Sequence, residues 1–358
     1  MTKLHDLSHA LKPHFTFDPR VMEFIARFII ALLEKRTVNL AVLGNTLNPQ
    51  VTGESNQRRA TRFLERDAVW REALRDWLLG FHPTHVTLAV DRTEWKFGRT
   101  PVNLLVVAIV HNGFAIPLCW THLEKAGSSN AGEVTTLLKT LVSSLKRKTV
   151  LVLMDREFAC HASLTWLIRA GWDFDLRLKR DARVSYRDCT RRVERFFADL
   201  KPGQGMWLKR RVTVYGVKVF VVALRPVQPT EDGDACVYLV TNRAPSAALG
   251  LYGERWAIEN LFAALKTRGF NFEDTHLTAA AKLENLLGLL CLTAFWAVQL
   301  GEWITRGKPI KLKTHGRRAV SVFRLGLDAL ERLMRCDAPR LVRRNVVWDD
   351  AIRLLSGT

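Results

Sequence analysis

The stretch LYGERWAIENLFAALKTRGF (residues 251–270) combines an apolar helical pattern with a row of polar side chains. It has no proline, is rich in helix-forming residues and carries a glycine near its end, which predicts one continuous helix. At about 100° per residue, one narrow polar stripe of this helix holds Tyr252, Arg255, Glu259 and Lys266. The adjacent arc is apolar and is expected to face the core through Ile258, Leu261, Phe262 and Leu265. A carboxylate between two cations and a phenol at the edge of a core indicates a functional site.

The composition indicates a folded protein with a polyanionic partner. The 358 residues suit two or three domains, and the hydrophobic fraction of 48% excludes wholesale disorder. Lys and Arg total 54 against 35 Asp and Glu, which gives a net charge of +19. Nucleic acid is the partner that this excess favours, ahead of an anionic membrane surface. A generically basic soluble protein is the alternative.

Cysteine spacing and hydropathy predict a cytoplasmic protein. The six cysteines are scattered without a CxxC pair, which is typical of reduced thiols and not of a disulfide scaffold or zinc ribbon. The start, MTKLHDLSHALKPHF, has no apolar signal core. The longest apolar run, LLGLLCLTAFWAVQL, is shorter than the roughly 18 residues of a membrane span, so it predicts a buried core helix. No membrane partner is expected.

Residues 1–83 are expected to form an N-terminal helical DNA-binding domain. VMEFIARFIIALLEKR is amphipathic, and ESNQRRATRFLERDAVW follows it as a further helix. In the latter, Arg58, Arg62 and Arg66 recur every four residues and form one basic ridge. A basic ridge on short helices suits DNA binding, although a solvated helix face has the same pattern.

Residues 84–277 are expected to form an α/β catalytic core of the RNase H-like type. HVTLAVD, NLLVVAIV and FAIPLCW are predicted strands, and a helix, the strand TVLVLMD, a second helix and the strand WDFDLRLK follow. Three strands, helix, strand, helix and strand are the element order of that mixed-sheet core. Residues from about 180 to 241 predict a β-rich insertion, and residues 278–358 predict C-terminal helices.

Two aspartates close strand-like runs of this core. Asp91 ends HVTLAVD and Asp155 ends TVLVLMD, and strand ends are where ligands gather in open sheets. If the two strands are neighbours, the carboxylates converge, and Glu259 can supply a third. Three converging carboxylates need a cation, and oxygen ligands select Mg²⁺ or Mn²⁺. For either aspartate alone, a turn former or a helix cap is the favoured explanation, and only the pair together with Glu259 makes a metal site equally well supported.

Three short sequences resemble the acidic motifs of a known enzyme family. YGERWAIENLFAALK has the form Y-x2-R-x3-E-x6-K, MDREF contains the word D-R-E-F, and AVDRTEW holds the first aspartate. Together they resemble the motifs of DDE transposases from bacterial insertion sequences. The Y-R-E-K spacing is similar to that of the insertion-sequence-four family.

The resemblance implies a role for each matching residue. Asp91, Asp155 and Glu259 would be the catalytic residues and would bind two Mg²⁺ or Mn²⁺ ions. Tyr252, Arg255 and Lys266 would bind DNA phosphates near the cut. Arg156 stands in the D-R-E-F word and either contacts DNA or balances the acidic cluster. Glu157, one residue further, is expected to form a structural ion pair or a cap.

The function implied is that of a cut-and-paste DNA transposase. Such an enzyme binds double-stranded transposon ends, cleaves one strand, forms a hairpin and transfers the ends to target DNA. The resemblance implies a homodimer in the synaptic complex and a bacterial, nucleoid-associated protein. Two alternatives share the same core: a metal-dependent nuclease or resolvase without strand transfer, and a domesticated DNA-binding protein without turnover.

Overall fold

The computed structural model describes residues 2–67, 69–228, 230, 233–314, 318–335, 340–341 and 346–356. Cys336 lies outside these residues, and no disulfide joins the described cysteines, as their spacing predicted. The chain divides into two compact units. We call Met1–Leu78, Trp95–Thr100 and Leu261–Thr358 the helical unit, and Leu79–Glu94 and Pro101–Asn260 the sheet unit.

The helices of the described residues are numbered in chain order. They are α1 (Lys3–Leu11), α2 (Pro19–Lys35), α3 (Leu40–Leu47), α4 (Gly53–Leu64), α5 (Val69–Gly80), α6 (Ala131–Lys139), α7 (Val142–Leu145), α8 (His161–Ala170), α9 (Pro245–Leu251), α10 (Ala257–Leu265), α11 (Ala280–Gly307), α12 (Val322–Arg335) and α13 (Trp348–Ser356). Short 3-10 segments cover Val193–Phe196, Tyr252–Trp256 and Phe272–Thr275.

The strands of the described residues are numbered in the same way. They are β1 (His85–Phe97), β2 (Thr100–His111), β3 (Phe114–His122), β4 (Thr149–Met154), β5 (Asp173–Leu178), β6 (Arg183–Tyr186), β7 (Cys189–Arg192), β8 (Gly205–Trp207), β9 (Val212–Val214), β10 (Val217–Leu224), β11 (Val237–Thr241), β12 (Arg340–Leu341) and β13 (Val346–Val347).

The sheet unit is built on one large mixed sheet. Its strand order is β3-β2-β1-β4-β5-β11-β10-β9-β6-β7, and β8 pairs with β10. Strand β4 is parallel to both β1 and β5, whereas β2 and β3 form an antiparallel hairpin. The β2–β3 turn at Asn112 and Gly113 has positive φ at both residues, which is what a tight hairpin requires. The order 3-2-1-4-5 with flanking helices confirms the RNase H-like fold class.

The region from about 180 to 241 is β-rich, as predicted, and its strands continue the same sheet. Strand β11 lies antiparallel to β5, with Tyr238 opposite Leu178, and β10 follows next to it. The outer edge of β5 would otherwise expose a row of unpaired backbone groups. The insertion therefore extends the core sheet instead of forming a separate one.

The helical unit packs around the buried helix α11. Its apolar body is almost entirely buried, and Trp296 donates its indole N–H to the carbonyl of Ala351 at 2.7 Å. By length and composition alone α11 would pass as a membrane span, but its burial confirms the prediction of a core helix. Helix α12 crosses α11 closely at Gly326 and Gly301, where the backbones leave no room for a side chain.

Residues 251–270 do not form the one continuous helix that their pattern predicted. A 3-10 segment covers Tyr252–Trp256, and the regular helix α10 runs only from Ala257 to Leu265. After α10 the chain folds back so tightly that a Cβ at Gly269 would lie 2.2 Å from the carbonyl oxygen of Ala264. The predicted core arc is nonetheless buried at Ile258, Leu261 and Leu265 and half-buried at Phe262.

The two compact units do not follow the linear division of the sequence. The helical unit joins the N-terminal helices to the C-terminal ones and also takes in Trp95–Thr100. Helix α11, for example, packs against α2, α4, α12 and α13. The division into independent domains at 1–83, 84–277 and 278–358 stays a prediction.

Candidate active site

The register of the sheet brings Asp91 and Asp155 together. In the parallel pair of β1 and β4, Val90 lies opposite Met154, and each aspartate is the next residue. Strand β4 ends at Met154, so Asp155 closes its strand as expected. Asp91 does not close β1, contrary to the prediction, because β1 continues to Phe97 beside the returning strand β2. Both carboxylates thus lie at the end of the parallel pairing.

The guanidinium of Arg255 joins Asp91 to Glu259. Its Nη1 lies 3.2 Å from Asp91 Oδ2, and its Nη2 lies 2.6 Å from Glu259 Oε1. Arg255 comes from the 3-10 segment and Glu259 from the first turn of α10, four residues later. The arginine side chain is only 13% exposed. One forked cation therefore holds two of the three predicted carboxylates.

Burial and neighbouring charge make Asp91 an unusual acid. Burial raises the pKa of Asp91 from 3.8 to about 6. The backbone N–H of Arg92, which donates to Asp91 Oδ1 at 2.7 Å, and the Arg255 guanidinium act in the opposite direction. The charges of Asp155 and Glu259 make smaller contributions that also raise this pKa. Burial is thus the main reason why Asp91 holds its proton more tightly than an ordinary aspartate.

Tyr252 is a half-buried neutral donor beside these groups. Its hydroxyl donates to the carbonyl of Met154 at 3.3 Å, directly before Asp155. Burial raises the pKa of Tyr252 well above its usual value, so the phenol keeps its proton. The guanidinium carbon of Arg255 lies 6.0 Å from the ring centroid.

Asp155 faces a second arginine, Arg177, on the neighbouring strand β5. The Arg177 Nη1 lies 3.8 Å from Asp155 Oδ1, which is too long for a hydrogen bond. Among the described residues none donates a hydrogen bond to this buried oxygen. Arg177 is 8% exposed and pairs through Nη2 with Asp234 at 3.1 Å. Arg156, a predicted DNA contact, pairs with the same Asp234 at 3.0 Å.

Glu157 forms the structural ion pair that the sequence predicted. Its Oε1 lies 3.2 Å from the Arg92 Nε and accepts a hydrogen bond from the Ser129 hydroxyl at 3.1 Å. Glu157 is therefore held away from the three predicted ligands, although it stands only two residues after Asp155.

The remaining predicted residues belong to the helical unit. Lys266 follows the last residue of α10 and pairs with Glu273 at 2.8 Å, while its ammonium lies 5.8 Å from the ring centroid of Trp95. Arg58 and Arg62 are exposed on α4, so both lie on a solvent-facing side. Arg66 is exposed as well but comes after the helix ends at Leu64.

The donor set fits a hard divalent cation, but its side chains are not yet gathered around one point. Within the described part of the chain, no three His, Cys, Asp or Glu side chains are arranged closely enough to hold a metal ion. Carboxylate oxygens are the ligands that Mg²⁺ and Mn²⁺ prefer. The raised pKa of Asp91 and the orphaned oxygen of Asp155 both show that the cluster would accept more positive charge.

Comparison with protein families identifies the family of this chain. Residues 82–296 match the family described as "Transposase DDE domain", which spans more than half of the chain and all three carboxylates. The chain belongs to this family. It is thus a DDE transposase, and enzymes of this family use divalent metal ions.

Two further comparisons, with curated proteins and with solved structures, give little additional information. The search of curated proteins gave no match. Among solved structures, the transposase is similar to the one described as "Cryo-EM structure of piggyBac transposase synaptic complex with hairpin DNA", at 11% identity and a TM-score of 0.43. That alignment covers 98% of this chain and 82% of the other. At this score the likeness is distant, so the fold assignment rests on the strand order of the sheet.

The sequence did not single out Arg177 or Asp234 of the transposase. Arg177 lies in an ordinary strand pattern, and Asp234 lies in the connection between β10 and β11, 57 residues further along the chain. A buried strand that carries an arginine is unusual, since a buried charge requires a partner. An arginine within an apolar strand was therefore visible in the sequence at Arg177. Sequence spacing did not indicate that Asp234 is its partner.

Proposed function

We propose that this transposase is a cut-and-paste enzyme of the insertion-sequence-four kind that acts on double-stranded DNA. The family match supports transposition, and the Y-R-E-K and D-R-E-F motifs support the narrower group. The main support for the proposal is the position of the three acidic residues. Asp91 and Asp155 follow register partners on neighbouring parallel strands, and Arg255 joins Asp91 to Glu259. Acids from distant parts of the chain thus meet at one sheet edge.

Asp91, Asp155 and Glu259 are the proposed ligands of two Mg²⁺ or Mn²⁺ ions. When bound, such ions activate a water or a 3′-hydroxyl and stabilise the leaving oxygen of a phosphodiester. The protein contributes rigid support, because the two aspartates directly follow the last paired residues of the parallel strands β1 and β4 and the glutamate lies on a helix. Glu157 is not among the proposed ligands, and its ion pair with Arg92 supports a structural role.

Tyr252, Arg255 and Lys266 are the proposed phosphate-binding residues. Arg255 presents a forked guanidinium suited to bidentate contact with a phosphate, and Lys266 offers a point charge. Tyr252 is protonated and can donate to a phosphate oxygen. Arg156 is proposed to contact DNA with its partly exposed guanidinium, while its ion pair with Asp234 supports the alternative role of charge balance.

The proposed reaction sequence begins with hydrolysis of one strand at the transposon end. The new 3′-hydroxyl attacks the opposite strand to give a hairpin, hydrolysis reopens the hairpin, and the 3′ ends join target DNA. Each step is an in-line phosphoryl displacement, so a single carboxylate site can serve all of them. Two ends must be handled together, which supports a homodimer in the synaptic complex.

The N-terminal helices are proposed to hold DNA away from the cut. Arg58 and Arg62 are exposed one turn apart on α4, and Arg58 lies 3.5 Å from Glu54, whose side chain is 87% exposed. Ion pairs between exposed groups at such distances contribute little stability, so both arginines can turn to phosphates.

The test is cleavage and joining of DNA that carries the coding region with its flanking ends. The wild-type protein with Mg²⁺ or Mn²⁺ is expected to cut at the ends and to join them to a target plasmid. Glu259→Gln should lower cleavage by at least about a thousandfold, because it removes a metal ligand. Glu254→Gln is the matched control, since Glu254 is exposed in the 3-10 segment just before α10, and it should leave cleavage unchanged.

The outcomes separate the competing functions. Cleavage without joined products would support the nuclease or resolvase alternative. Binding of the DNA without cleavage, equally in wild type and Glu259→Gln, would support a DNA-binding protein without turnover. Equal cleavage by wild type and Glu259→Gln would refute the assignment of Glu259.

A further inference from the structure

Arg255 occupies the space between two predicted metal ligands. Its two terminal nitrogens each contact a different carboxylate, Asp91 at 3.2 Å and Glu259 at 2.6 Å. The side chain is largely buried, so water screens these contacts only weakly. The backbone approaches from the 3-10 segment Tyr252–Trp256, and the phenol of Tyr252 lies beside the guanidinium. The arrangement is a small buried network of one cation and two anions.

A divalent ion would have to compete with this guanidinium for the two carboxylates, because Arg255 holds one oxygen of each. Each carboxylate oxygen that donates to a metal ion must point at the metal, within about 2.0–2.2 Å for Mg²⁺ or Mn²⁺. A positive guanidinium at hydrogen-bond distance from both carboxylates would also repel the ion. This accounts for the lack of a ready-made metal cluster among the described residues. Arg255 in this position therefore opposes metal binding by Asp91 and Glu259, both by holding one oxygen of each and by its charge.

Asp155 shows the same pattern with a different arginine. Arg177 balances its charge from 3.8 Å but is itself tied to Asp234. Because Arg177 leaves Asp155 Oδ1 without a hydrogen bond, the aspartate remains available as a ligand. Arg255, by contrast, makes direct contact with both of its carboxylates. The block on metal binding thus centres on Arg255.

We propose that Arg255 is an internal counter-ion that keeps metal ions out of the DNA-free site and leaves for a DNA phosphate. The proposal rests on the proposed function, because it takes Asp91 and Glu259 as metal ligands. A phosphate offers the guanidinium an equivalent forked partner, so DNA frees the two carboxylates at the moment when the ions are needed. Thermodynamic linkage requires that DNA and metal then strengthen the binding of each other.

The measurement is Mn²⁺ binding, followed by the electron paramagnetic resonance signal of the free ion. The DNA-free wild type is expected to bind Mn²⁺ weakly, and Arg255→Gln at least about tenfold more tightly, because a charge-assisted hydrogen-bond partner of each ligand is gone. Arg255→Lys keeps the charge but cannot contact both carboxylates, so it should bind Mn²⁺ with intermediate affinity. Circular dichroism establishes that each variant is folded.

Two controls test whether the gain in Mn²⁺ affinity depends on Arg255 and on Glu259. Arg243→Gln removes another half-buried arginine of the sheet unit, one paired with Asp175, and should leave Mn²⁺ affinity at the wild-type value. Adding Glu259→Gln to Arg255→Gln should abolish the gained affinity. A short blunt duplex of mixed sequence, corrected for the Mn²⁺ that it binds alone, should tighten Mn²⁺ binding by the wild type but not by Arg255→Gln.

The results distinguish failure of this inference from failure of the proposed function. Equal Mn²⁺ affinity in wild type and Arg255→Gln, with metal-dependent cleavage by the wild type, would overturn the counter-ion role alone. No Mn²⁺ binding by any variant, together with no cleavage, would overturn both. Tighter binding by Arg255→Gln that is insensitive to Glu259→Gln would place the gained ion elsewhere and also contradict the inference.

Discussion

At the scale of single residues, the burial of Asp91 is the main influence on the charge of the site. Arg255 contacts two carboxylates and Arg177 faces the third, yet burial still raises the pKa of Asp91 to about 6. Burial destabilises the charged form of Asp91 by more free energy than the shared guanidinium of Arg255 restores. The site therefore lowers the folding stability of the protein, which is common at functional sites.

The raised pKa of Asp91 predicts a pH-dependent cost to folding. Because its folded pKa lies above the unfolded value near 3.9, the folded state holds the proton more tightly, and stability falls as pH rises from about 4 to about 6. Asp91→Asn cannot titrate and should escape this loss. In urea unfolding with a chelator, the stability of Asp91→Asn relative to wild type should rise by on the order of 1–3 kcal/mol across that window.

The comparison is made between the two proteins at each pH, so that the other titrating groups cancel. A difference in unfolding free energy that stays constant from about pH 4 to about pH 7 would show that Asp91 has an ordinary pKa. Asp76→Asn, at an exposed aspartate outside the site, serves as the control and should show no such change.

At the scale of elements, the sequence predicted what depends on local pattern. Apolar runs that end in Asp91 and Asp155 predicted strands β1 and β4, and the order of elements along the chain predicted a mixed sheet of the RNase H-like type. That β1 and β4 are neighbours was left open by the sequence and is shown by the strand order of the sheet. The 3-10 segment at Tyr252–Trp256 was not predicted. A spacing of apolar residues near 3.6 indicates a helix, but it does not distinguish a short stretch of 3-10 helix within it. The pairing of Arg177 with Asp234 depends on the path of the inserted strands, which no local pattern encodes.

The contact of α11 with α12 yields a prediction on stability. A Cβ at Gly326 would lie 1.7 Å from the carbonyl oxygen of Ala297 and 2.7 Å from the amide nitrogen of Gly301. Gly326→Ala should therefore destabilise the protein by more than about 2 kcal/mol, because two helix backbones must separate. Gly307→Ala is the control, since nothing lies within 4 Å of its Cβ position. Equal thermal midpoints for the two variants would contradict this close packing.

At the scale of the whole molecule, charge and fold have separate roles. The net charge of +19 is spread over the entire chain and is the signature of a polyanion partner, which the proposed reaction supplies as DNA. The sheet unit supplies Asp91, Asp155, Arg255 and Glu259 from three separate stretches of sequence. The composition alone thus predicted a polyanionic partner. The site residues were predicted from the motif resemblance, and the register of the sheet then showed where Asp91 and Asp155 lie.

Asp91, Asp155 and Glu259 are proposed to bind metal ions together. Fe²⁺ can take the place of Mg²⁺ at oxygen ligands, and with ascorbate and peroxide it cuts the backbone beside its ligands. Wild-type protein bound to a DNA duplex, in excess Fe²⁺, is expected to give fragments that end near all three residues, with cutting suppressed by Mg²⁺ and lost in Glu259→Gln. Cuts that fall elsewhere, or that persist unchanged in Glu259→Gln, would contradict the claim.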